Sequence, residues 1–444
     1  MFRSRRTRRL AAALLVSARL LPAAELPSAK PEAVGMSAER LARIDALMDR
    51  YVASGQIANG VTVVLRDGKV VQDKAYGYLD PVARTPMRAD ALFRLASQSK
   101  PITAVAVLTL VDEGLVRLSD PVSRFIPEFR GQRVAVPKPG TTAPPPLPPG
   151  AAPAGPRPEA DFVPAAREIT VRDLLTHTSG LASGGLGSMV STDIQRQPAE
   201  TLADFIPRQA KVALDFQPGT RWNYSVSAGF ETLSRIVEIA SGKPYDVFLK
   251  ERIFGPLDMH DTDFVIPAAK RERAGAMYRR APDSRWEPTQ PPAAFASDIY
   301  FSGAVGLIST ARDLARFQQM LLNGGELQGH RILAPRTVEL MQTNHVGDLF
   351  HGMRGNEDGM GFGLGVAVTL DETKAVWRRS AGSAGWYGAF GTILWSDPRE
   401  GIVAVLMTHQ SVPQLQNDFG SAVMQAIIQS RPAQSRVAEA QPAR

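Results

Sequence analysis

The sequence contains no cysteine. This absence excludes disulfide bonds, zinc sites built on thiolates and a cysteine nucleophile. It suits an exported bacterial protein as well as a cytosolic one, so it does not settle the compartment. The chain also lacks any apolar run approaching 18 residues, and no stable membrane span is therefore predicted.

The body of the chain lacks an excess of basic charge. The formal net charge is +7, and most of it comes from arginines within residues 1–24, a stretch that contains no acid: Arg3, Arg5, Arg6, Arg8, Arg9 and Arg19. The remainder is nearly neutral, so no nucleic-acid partner is predicted. With 444 residues, 44% hydrophobic and 21% charged, the chain is expected to be globular and long enough for two or more domains.

The N-terminus has the features of an export signal. A basic region precedes the apolar run Leu10–Val16, and Ala23-Ala24 offers small residues before a cleavage point. Arg5-Arg6 or Arg8-Arg9 would also suit a twin-arginine signal. Residues 1–24 are therefore predicted to be an export signal to the bacterial periplasm or beyond. The alternative is a disordered basic arm on a cytoplasmic protein.

Strand patterns occur at both ends of the chain, with helical patterns between them. Asp67-Gly68 lies between two apolar runs and predicts a hairpin. Alternation near the C-terminus predicts strands over Phe362–Leu370, Gly391–Trp395 and Ile402–Thr408. Periods of three and four residues predict helices that begin after Ser37 and cover Ala228–Ala240, Tyr245–Ile253, Ala311–Leu322 and Leu415–Ile428.

This order predicts an α/β fold of the α+β type. One antiparallel sheet, flanked by helices, is built from both chain ends, and an all-α domain is inserted into it. The predicted sheet domain covers residues 25–95 and 300–430, the helical domain covers 96–299, and 431–444 form a disordered tail. Residues 137–164 hold 11 of the 34 prolines and predict an exposed loop without a regular hydrogen-bond ladder.

Ser97 and Lys100 stand three residues apart at the start of a predicted helix. Pro101 suits the first turn of that helix, and Gly114 suits its end. Residues at this spacing share one helix face. A serine hydroxyl needs a base to become a nucleophile, and a buried lysine amine near a helix N-terminus can serve. On spacing alone, a helix cap followed by a solvated lysine is the favoured interpretation of the pair.

Five stretches together carry a resemblance to a known family. The chain resembles the penicillin-recognising serine hydrolases, and is most similar to class C β-lactamases and family VIII carboxylesterases. The resemblance covers roughly residues 35–430, in chain order: Phe93–Lys100, Leu174–Leu181, Pro218–Ser225, Gly303–Thr310, and Trp386–Gly388 followed by Gly391 and Trp395–Pro398. It implies the same sheet-plus-helices fold, a catalytic Ser97, and no cofactor.

The resemblance also implies the partners of Ser97. Tyr224 matches the tyrosine that faces the Ser-Lys pair in these enzymes, and either Lys100 or Tyr224 could be the acylation base. Trp386-Tyr387-Gly388 resembles the Trp-Gly-Gly of family VIII esterases. By that pattern Gly388 lets substrate approach the strand, and the N–H of Ala389 joins that of Ser97 in an oxyanion hole.

Two departures from the family pattern bear on the substrate. β-Lactamases and peptidases of this fold usually have a cation where Trp386 stands and an asparagine where Val226 stands. An ester with an apolar acyl group needs neither partner, so the sequence favours a carboxylesterase acting on a small-molecule ester. The alternatives are a β-lactamase, a D-amino-acid peptidase-like hydrolase, an acyltransferase, or a binding protein that has lost the chemistry.

A second serine requires separate consideration. Ala381-Gly382-Ser383-Ala384-Gly385 is one methyl group short of the Gly-x-Ser-x-Gly elbow. That elbow joins a strand to a helix, whereas Ser383 precedes a predicted strand. His177, within Leu174–Leu181, is assigned a structural role. No spacing of His, Asp or Glu predicts a metal site, and no glycine-rich loop predicts a nucleotide site.

Overall fold

The computed structural model describes residues 25–148, 151, 156–290, 297–353 and 357–431. In this part of the chain the α-helices are α1 Ala38–Ala53, α2 Ser99–Asp112, α3 Val171–Leu175, α4 Leu186–Val190, α5 Leu202–Gln209, α6 Ala228–Ser241, α7 Tyr245–Leu249, α8 Ala311–Leu322, α9 Pro335–Met341 and α10 Pro413–Gln425. The strands are β1 Asn59–Arg66, β2 Lys69–Asp80, β3 Thr85–Pro86, β4 Phe93–Arg94, β5 Arg133–Pro137, β6 Ala160–Pro164, β7 Met277–Arg280, β8 Trp286–Thr289, β9 Ile308–Ser309, β10 Glu326–Leu327, β11 His330–Arg331, β12 Met360–Phe362, β13 Ala367–Thr369, β14 Ala384–Tyr387, β15 Ile393–Asp397 and β16 Ile402–Met407.

The central sheet has eight strands in the order β12-β13-β14-β15-β16-β1-β2-β3. Every neighbouring pair is antiparallel. Val61 on β1 lies opposite Met407 on β16 and Ala75 on β2, so the two chain ends meet at the middle of the sheet. The predicted fold class, an antiparallel sheet built from both ends with helices inserted between them, is confirmed.

The sheet has an apolar core on each face. Alternation along β1 sends Val63 to the face covered by α2 and α8, and Val64 to the face covered by α1 and α10. Because both faces are covered, all eight residues of β1 are buried. In the described part of the chain, no helix is both long enough and apolar enough to cross a bilayer.

Local signals placed several elements correctly. The Ser37 hydroxyl accepts from the N–H of Arg40 at 3.2 Å and caps α1. Asp67 and Gly68 both have positive φ, at 49° and 73°, as the predicted two-residue hairpin turn requires. The proline-containing helix after Ser97 is α2, and its residues from Ser99 to Leu110 are all buried.

Three sequence predictions were wrong in part. The inserted domain was predicted to be all-α, but residues 96–299 also contain the β5–β6 and β7–β8 hairpins. Phe362–Leu370 was predicted as one strand, but the chain reverses between β12 and β13, where the N–H of Gly363 donates to Val366 O at 2.8 Å and Gly365 has φ 80°. Glycine supports such a turn, which alternation alone does not reveal. The proline-rich segment 137–164 was predicted as an irregular loop. Its ends instead belong to the β5–β6 hairpin, with Pro137 and Pro164 at strand ends, where proline is tolerated.

Several predicted segments lie outside the described residues. They are the N-terminal stretch 1–24, residues 432–444 of the C-terminal tail, and positions 149–150 and 152–155 of the proline-rich segment. Export and the disordered tail therefore stay predictions. The domain boundaries stay predictions as well.

Candidate active site

Ser97 lies on a single 3₁₀ turn, Ala96–Gln98, between β4 and α2. The preceding residue, Ala96, has φ 48°, a left-handed conformation that costs free energy for a residue with a side chain. The fold maintains this conformation in a fully buried position. Ser97 is itself only 9% exposed, so its hydroxyl lies in a nearly enclosed place.

Lys100 lies in the first turn of α2 and is 1% exposed. Its Nζ is 3.2 Å from Ser97 Oγ, 2.6 Å from the carbonyl oxygen of Val226 and 3.1 Å from that of Ala304. The three N–H donors of a lysine ammonium match these three acceptors. Loss of one proton would leave a lone pair on the amine facing the Ser97 hydroxyl. The geometry therefore suits proton exchange between Ser97 and Lys100.

Tyr224 lies on the other side of the amine. Lys100 Nζ is 4.9 Å from the centroid of the Tyr224 ring. The phenol is 6% exposed, and its oxygen has no hydrogen-bond partner among the described residues. A buried hydroxyl normally finds such a partner. The phenol is thus available to a substrate or to a proton in transit.

His177 holds the segment that carries Tyr224. Its ring centroid is 4.5 Å from that of Tyr224. Its Nδ1 accepts a hydrogen bond from the N–H of Ser225 at 3.3 Å, and its carbonyl oxygen accepts one from the N–H of Asn223 at 3.1 Å. Burial, aided by the charge of Lys100, lowers the pKa of His177 well below the ordinary value. A neutral ring can accept this hydrogen bond, which agrees with the structural role assigned to His177.

The end of β14 lies against the Ser97 turn. Gln98 Nε2 donates to the carbonyl of Trp386 at 3.0 Å. A Cβ at Gly388 would lie 2.1 Å from Leu95 O, so only glycine fits this approach. Ala389 follows directly and is exposed. The structure thus brings Trp386 and Gly388 to the Ser97 turn, and Ala389 is the next residue along the chain.

An aromatic cluster forms one wall of the site. It consists of Trp222, Tyr224, Phe350, Phe362 and Trp386, and the side chain of Val226 packs against it. Trp386 is 3% exposed, and its ring lies 5.7 Å from Tyr224 and 5.3 Å from Phe362 between centroids. The indole is therefore a packed part of the wall rather than an open surface.

A cavity of about 350 Å³ opens beside Gly388 and Ala389. Trp377 and Tyr387 contribute aromatic surface to it, and Trp377 Nε1 donates to Asn417 Oδ1 at 3.0 Å. Among the described residues that line it, Glu357 is charged and none is a lysine or arginine. The cavity therefore combines aromatic surface with polar side chains, among them Ser411, Gln416 and Asn417.

Sequence reasoning missed two contributors to the site. The carbonyls of Val226 and Ala304 hold Lys100, yet a backbone acceptor leaves no signal in residue type. Gly303–Thr310 was recognised only as a shared string, without a role. Within the described chain, no group of three or more His, Asp or Glu side chains is arranged to hold a metal ion.

Ser383 is not placed as an elbow nucleophile. It precedes β14 and is 2% exposed. An elbow serine stands on a turn that follows a strand and leads into a helix. The prediction that Ser383 leads into a strand is confirmed.

The chain is similar to other proteins over most of its length. It is 35% identical over 380 residues to Protein Rv1367c of Mycobacterium tuberculosis, covering 83% of this chain and 90% of that protein. It is 30% identical over 430 residues to Esterase EstB of Burkholderia gladioli, covering 90% and 98%. The solved structure of EstCE1, a hydrolase with promiscuous acyltransferase activity, shares the fold with a TM-score of 0.69, 24% identity and coverage of 88% and 99%.

The model of the Beta-lactamase family matches residues 44–424. This span contains Ser97, Lys100, Tyr224 and all eight strands of the central sheet. The resemblance seen in the five sequence stretches is confirmed. The chain belongs to the Beta-lactamase family and is a β-lactamase-like serine hydrolase.

Proposed function

We propose that the protein is a carboxylesterase that cleaves small esters with short to medium acyl groups through an acyl-Ser97 intermediate. One observation carries the proposal: the Ser97 hydroxyl lies 3.2 Å from a buried amine that two backbone carbonyls hold in place. Esterase EstB, similar over 90% of the chain, supports the ester as substrate class.

The proposed reaction has two steps. Ser97 Oγ attacks the ester carbonyl carbon while its proton passes to Lys100 or Tyr224, and the N–H groups of Ser97 and Ala389 stabilise the oxyanion. The carbon–oxygen bond to the alcohol then breaks, and the alcohol leaves with that proton. Water repeats the attack on the acyl-enzyme, releasing the carboxylic acid and restoring Ser97. Removing one oxyanion donor typically costs about 10²–10³-fold in kcat.

The site walls favour an ester over a β-lactam. A β-lactam carries a carboxylate, but the indole of Trp386 offers it no cation. Val226 has no side-chain amide that could bind the polar side chain of the lactam. Leaving such groups unpaired costs on the order of 1–3 kcal/mol each.

Acyl transfer is the second candidate. The acyl-enzyme accepts any nucleophile that reaches it, so an alcohol can replace water with the same residues. EstCE1 is described as a hydrolase with promiscuous acyltransferase activity, which favours this candidate. A binding protein without chemistry would not need Ser97, Lys100 and Tyr224 together.

Intact-mass spectrometry tests the proposal. The protein is mixed with p-nitrophenyl esters of short acyl chains, with penicillins and with cephalosporins, and the Ser97→Ala variant is treated in parallel. We expect an acyl adduct from the esters on the wild type and none on the variant. Adducts from the lactams alone would replace the esterase proposal with a β-lactamase. Adducts of equal mass on Ser97→Ala would exclude Ser97 as the nucleophile.

A further inference from the structure

A buried carboxylate lies behind the candidate site and has no part in the proposed chemistry. Glu231, on α6, is 6% exposed. It accepts hydrogen bonds from Tyr300 Oη at 2.9 Å and from Ser302 Oγ at 2.7 Å. Burial raises the pKa of Glu231, while the two hydroxyls and the charge of Lys100 act in the opposite direction. A buried carboxyl group lowers the stability of the fold unless its oxygens are hydrogen-bonded. The hydroxyls of Tyr300 and Ser302 supply these hydrogen bonds.

The segment that Glu231 holds leads directly to Lys100. Ser302, which donates to Glu231, is two residues before Ala304, whose carbonyl accepts from Lys100 Nζ at 3.1 Å. Between them, the carbonyl of Gly303 accepts from Thr103 Oγ1 at 2.7 Å. Three successive residues are thus each fixed by a different polar contact.

There is little room for this segment to move toward the helices. A Cβ at Gly303 would lie 2.3 Å from Ser234 Oγ and 2.5 Å from Thr103 Oγ1. Ser234 belongs to α6 and Thr103 to α2. The segment is therefore packed against both helices, and the carboxylate of Glu231 holds it from the α6 side.

We infer that Glu231 is a positioning residue, which anchors Ser302 so that the Ala304 carbonyl holds the Lys100 amine beside Ser97. The inference rests on the proposed function only in taking Ser97 as a nucleophile. Ser302 and Ala304 lie in one turn, which the N–H of Gly306 closes by donating to Ser302 O at 2.8 Å, so a change in the position of Ser302 displaces the turn that carries the Ala304 carbonyl. A displacement of about 1 Å in a catalytic constellation can cost on the order of 10²-fold in rate.

Two single variants and their combination test this role. Ser302→Ala removes the hydroxyl donor, and Glu231→Gln leaves an amide oxygen that cannot accept both hydroxyl protons in the same way. We expect each to lower kcat for p-nitrophenyl butyrate about 10-fold, with KM within about twofold, and to slow labelling of Ser97 by a fluorophosphonate in parallel. Because both act through one hydrogen bond, the double variant should lose no more than the poorer single variant.

Asp313→Asn provides the matched control. Asp313 is a buried carboxylate on α8 that also accepts two hydrogen bonds, from the N–H of Asp261 at 2.9 Å and from Thr262 Oγ1 at 2.8 Å. We expect its neutralisation to leave kcat and labelling unchanged. If Glu231→Gln does not fold, Ser302→Ala, a smaller truncation, decides alone.

The outcomes separate this inference from the proposed function. Normal labelling in folded Ser302→Ala and Glu231→Gln would overturn the positioning role, as would an equal loss in Asp313→Asn or losses that multiply in the double variant. A wild type that labels at Ser97 but cleaves no ester would overturn the esterase proposal alone. A wild type that does not label at Ser97 would overturn both.

Discussion

The side-chain amide of Gln98 donates to the backbone carbonyl of Trp386 at 3.0 Å. This hydrogen bond joins the Ser97 turn to β14 across 288 residues of sequence. The side chain of Gln98 is 1% exposed, so water does not compete for the bond. The distance between the Ser97 turn and the strand that leads to Ala389 is fixed there. An oxyanion hole built from these two segments would depend on that distance.

Gly388→Ala tests the contact between the two segments. The added methyl group would lie 2.1 Å from Leu95 O, so the strand has to move away from the Ser97 turn. We expect kcat for p-nitrophenyl butyrate to fall at least about 10²-fold, the scale of one lost oxyanion donor. Gly420→Ala, on α10, is the control, because its nearest new neighbour is 3.8 Å away. Normal kcat in folded Gly388→Ala would exclude this strand end from the oxyanion hole.

Ser97→Ala should abolish both fluorophosphonate labelling and ester hydrolysis, because it removes the hydroxyl that Lys100 faces. Ser383→Ala is the matched control and should keep both. The measurements are in-gel labelling and initial rates with p-nitrophenyl butyrate. Labelling that survives in Ser97→Ala and disappears in Ser383→Ala would transfer the role to Ser383.

Lys100→Met removes the amine while keeping most of the volume of a side chain that is 1% exposed. We expect kcat to fall at least about 10²-fold, the usual scale of general base catalysis. Tyr224→Phe should cost about as much if the phenol carries the proton. Tyr51→Phe, on α1, controls for the loss of a phenol elsewhere. Near-normal turnover in a variant with an intact circular dichroism spectrum would remove that residue from the proposed mechanism.

Substrate preference follows from Trp386 and Val226. The wild type should have a higher kcat/KM for p-nitrophenyl butyrate than for benzylpenicillin or cephalothin, since Trp386 offers the lactam carboxylate no cation and Val226 offers the lactam amide no polar side chain. The comparison is made with one enzyme preparation at one pH. A lactam that matches the ester would show that the protein is a β-lactamase with an unusual pocket.

Asp313 gives the stability of the protein a defined pH dependence. Burial raises the pKa of Asp313 to about 6, so between its unfolded value near 3.8 and 6 the native state binds more protons than the unfolded state. Its contribution to stability is therefore complete below about pH 4 and is lost as the pH rises through 6, by up to about 3 kcal/mol. Asp313→Asn should gain stability relative to the wild type between pH 4 and pH 7, as measured by urea unfolding. A difference that stays constant over this range would contradict the raised pKa.

The sequence predicted those parts of the site that depend on local spacing. Ser97 and Lys100 are three residues apart at a helix start, and helical geometry alone brings them together. Tyr224 and Trp386 required the family resemblance, because no local pattern relates them to Ser97. The acceptors on Val226 and Ala304 lie 126 and 204 residues from Lys100. Their approach depends on tertiary packing, which residue types do not encode locally.

The fold was predictable at a similar level. Alternation located β16, and helical periodicity gave the bounds of α8 correctly. The same alternation joined β12 and β13 into one predicted strand, since Gly363 and Gly365 reverse the chain without interrupting the apolar pattern. A turn that depends on backbone conformation is hidden when its flanks are apolar.

The pairing of β1 with β16 has a consequence for how the chain acquires its structure. Val61 must find Met407, so the centre of the sheet closes a loop of more than 300 residues. Contacts of such long sequence separation form slowly, because the entropy of loop closure is lost before the contact rewards it. During synthesis, β1 leaves the ribosome long before its partner does. The sheet can therefore close only after nearly the whole chain has been made, and until then one edge of β1 stays open to pairing with other chains.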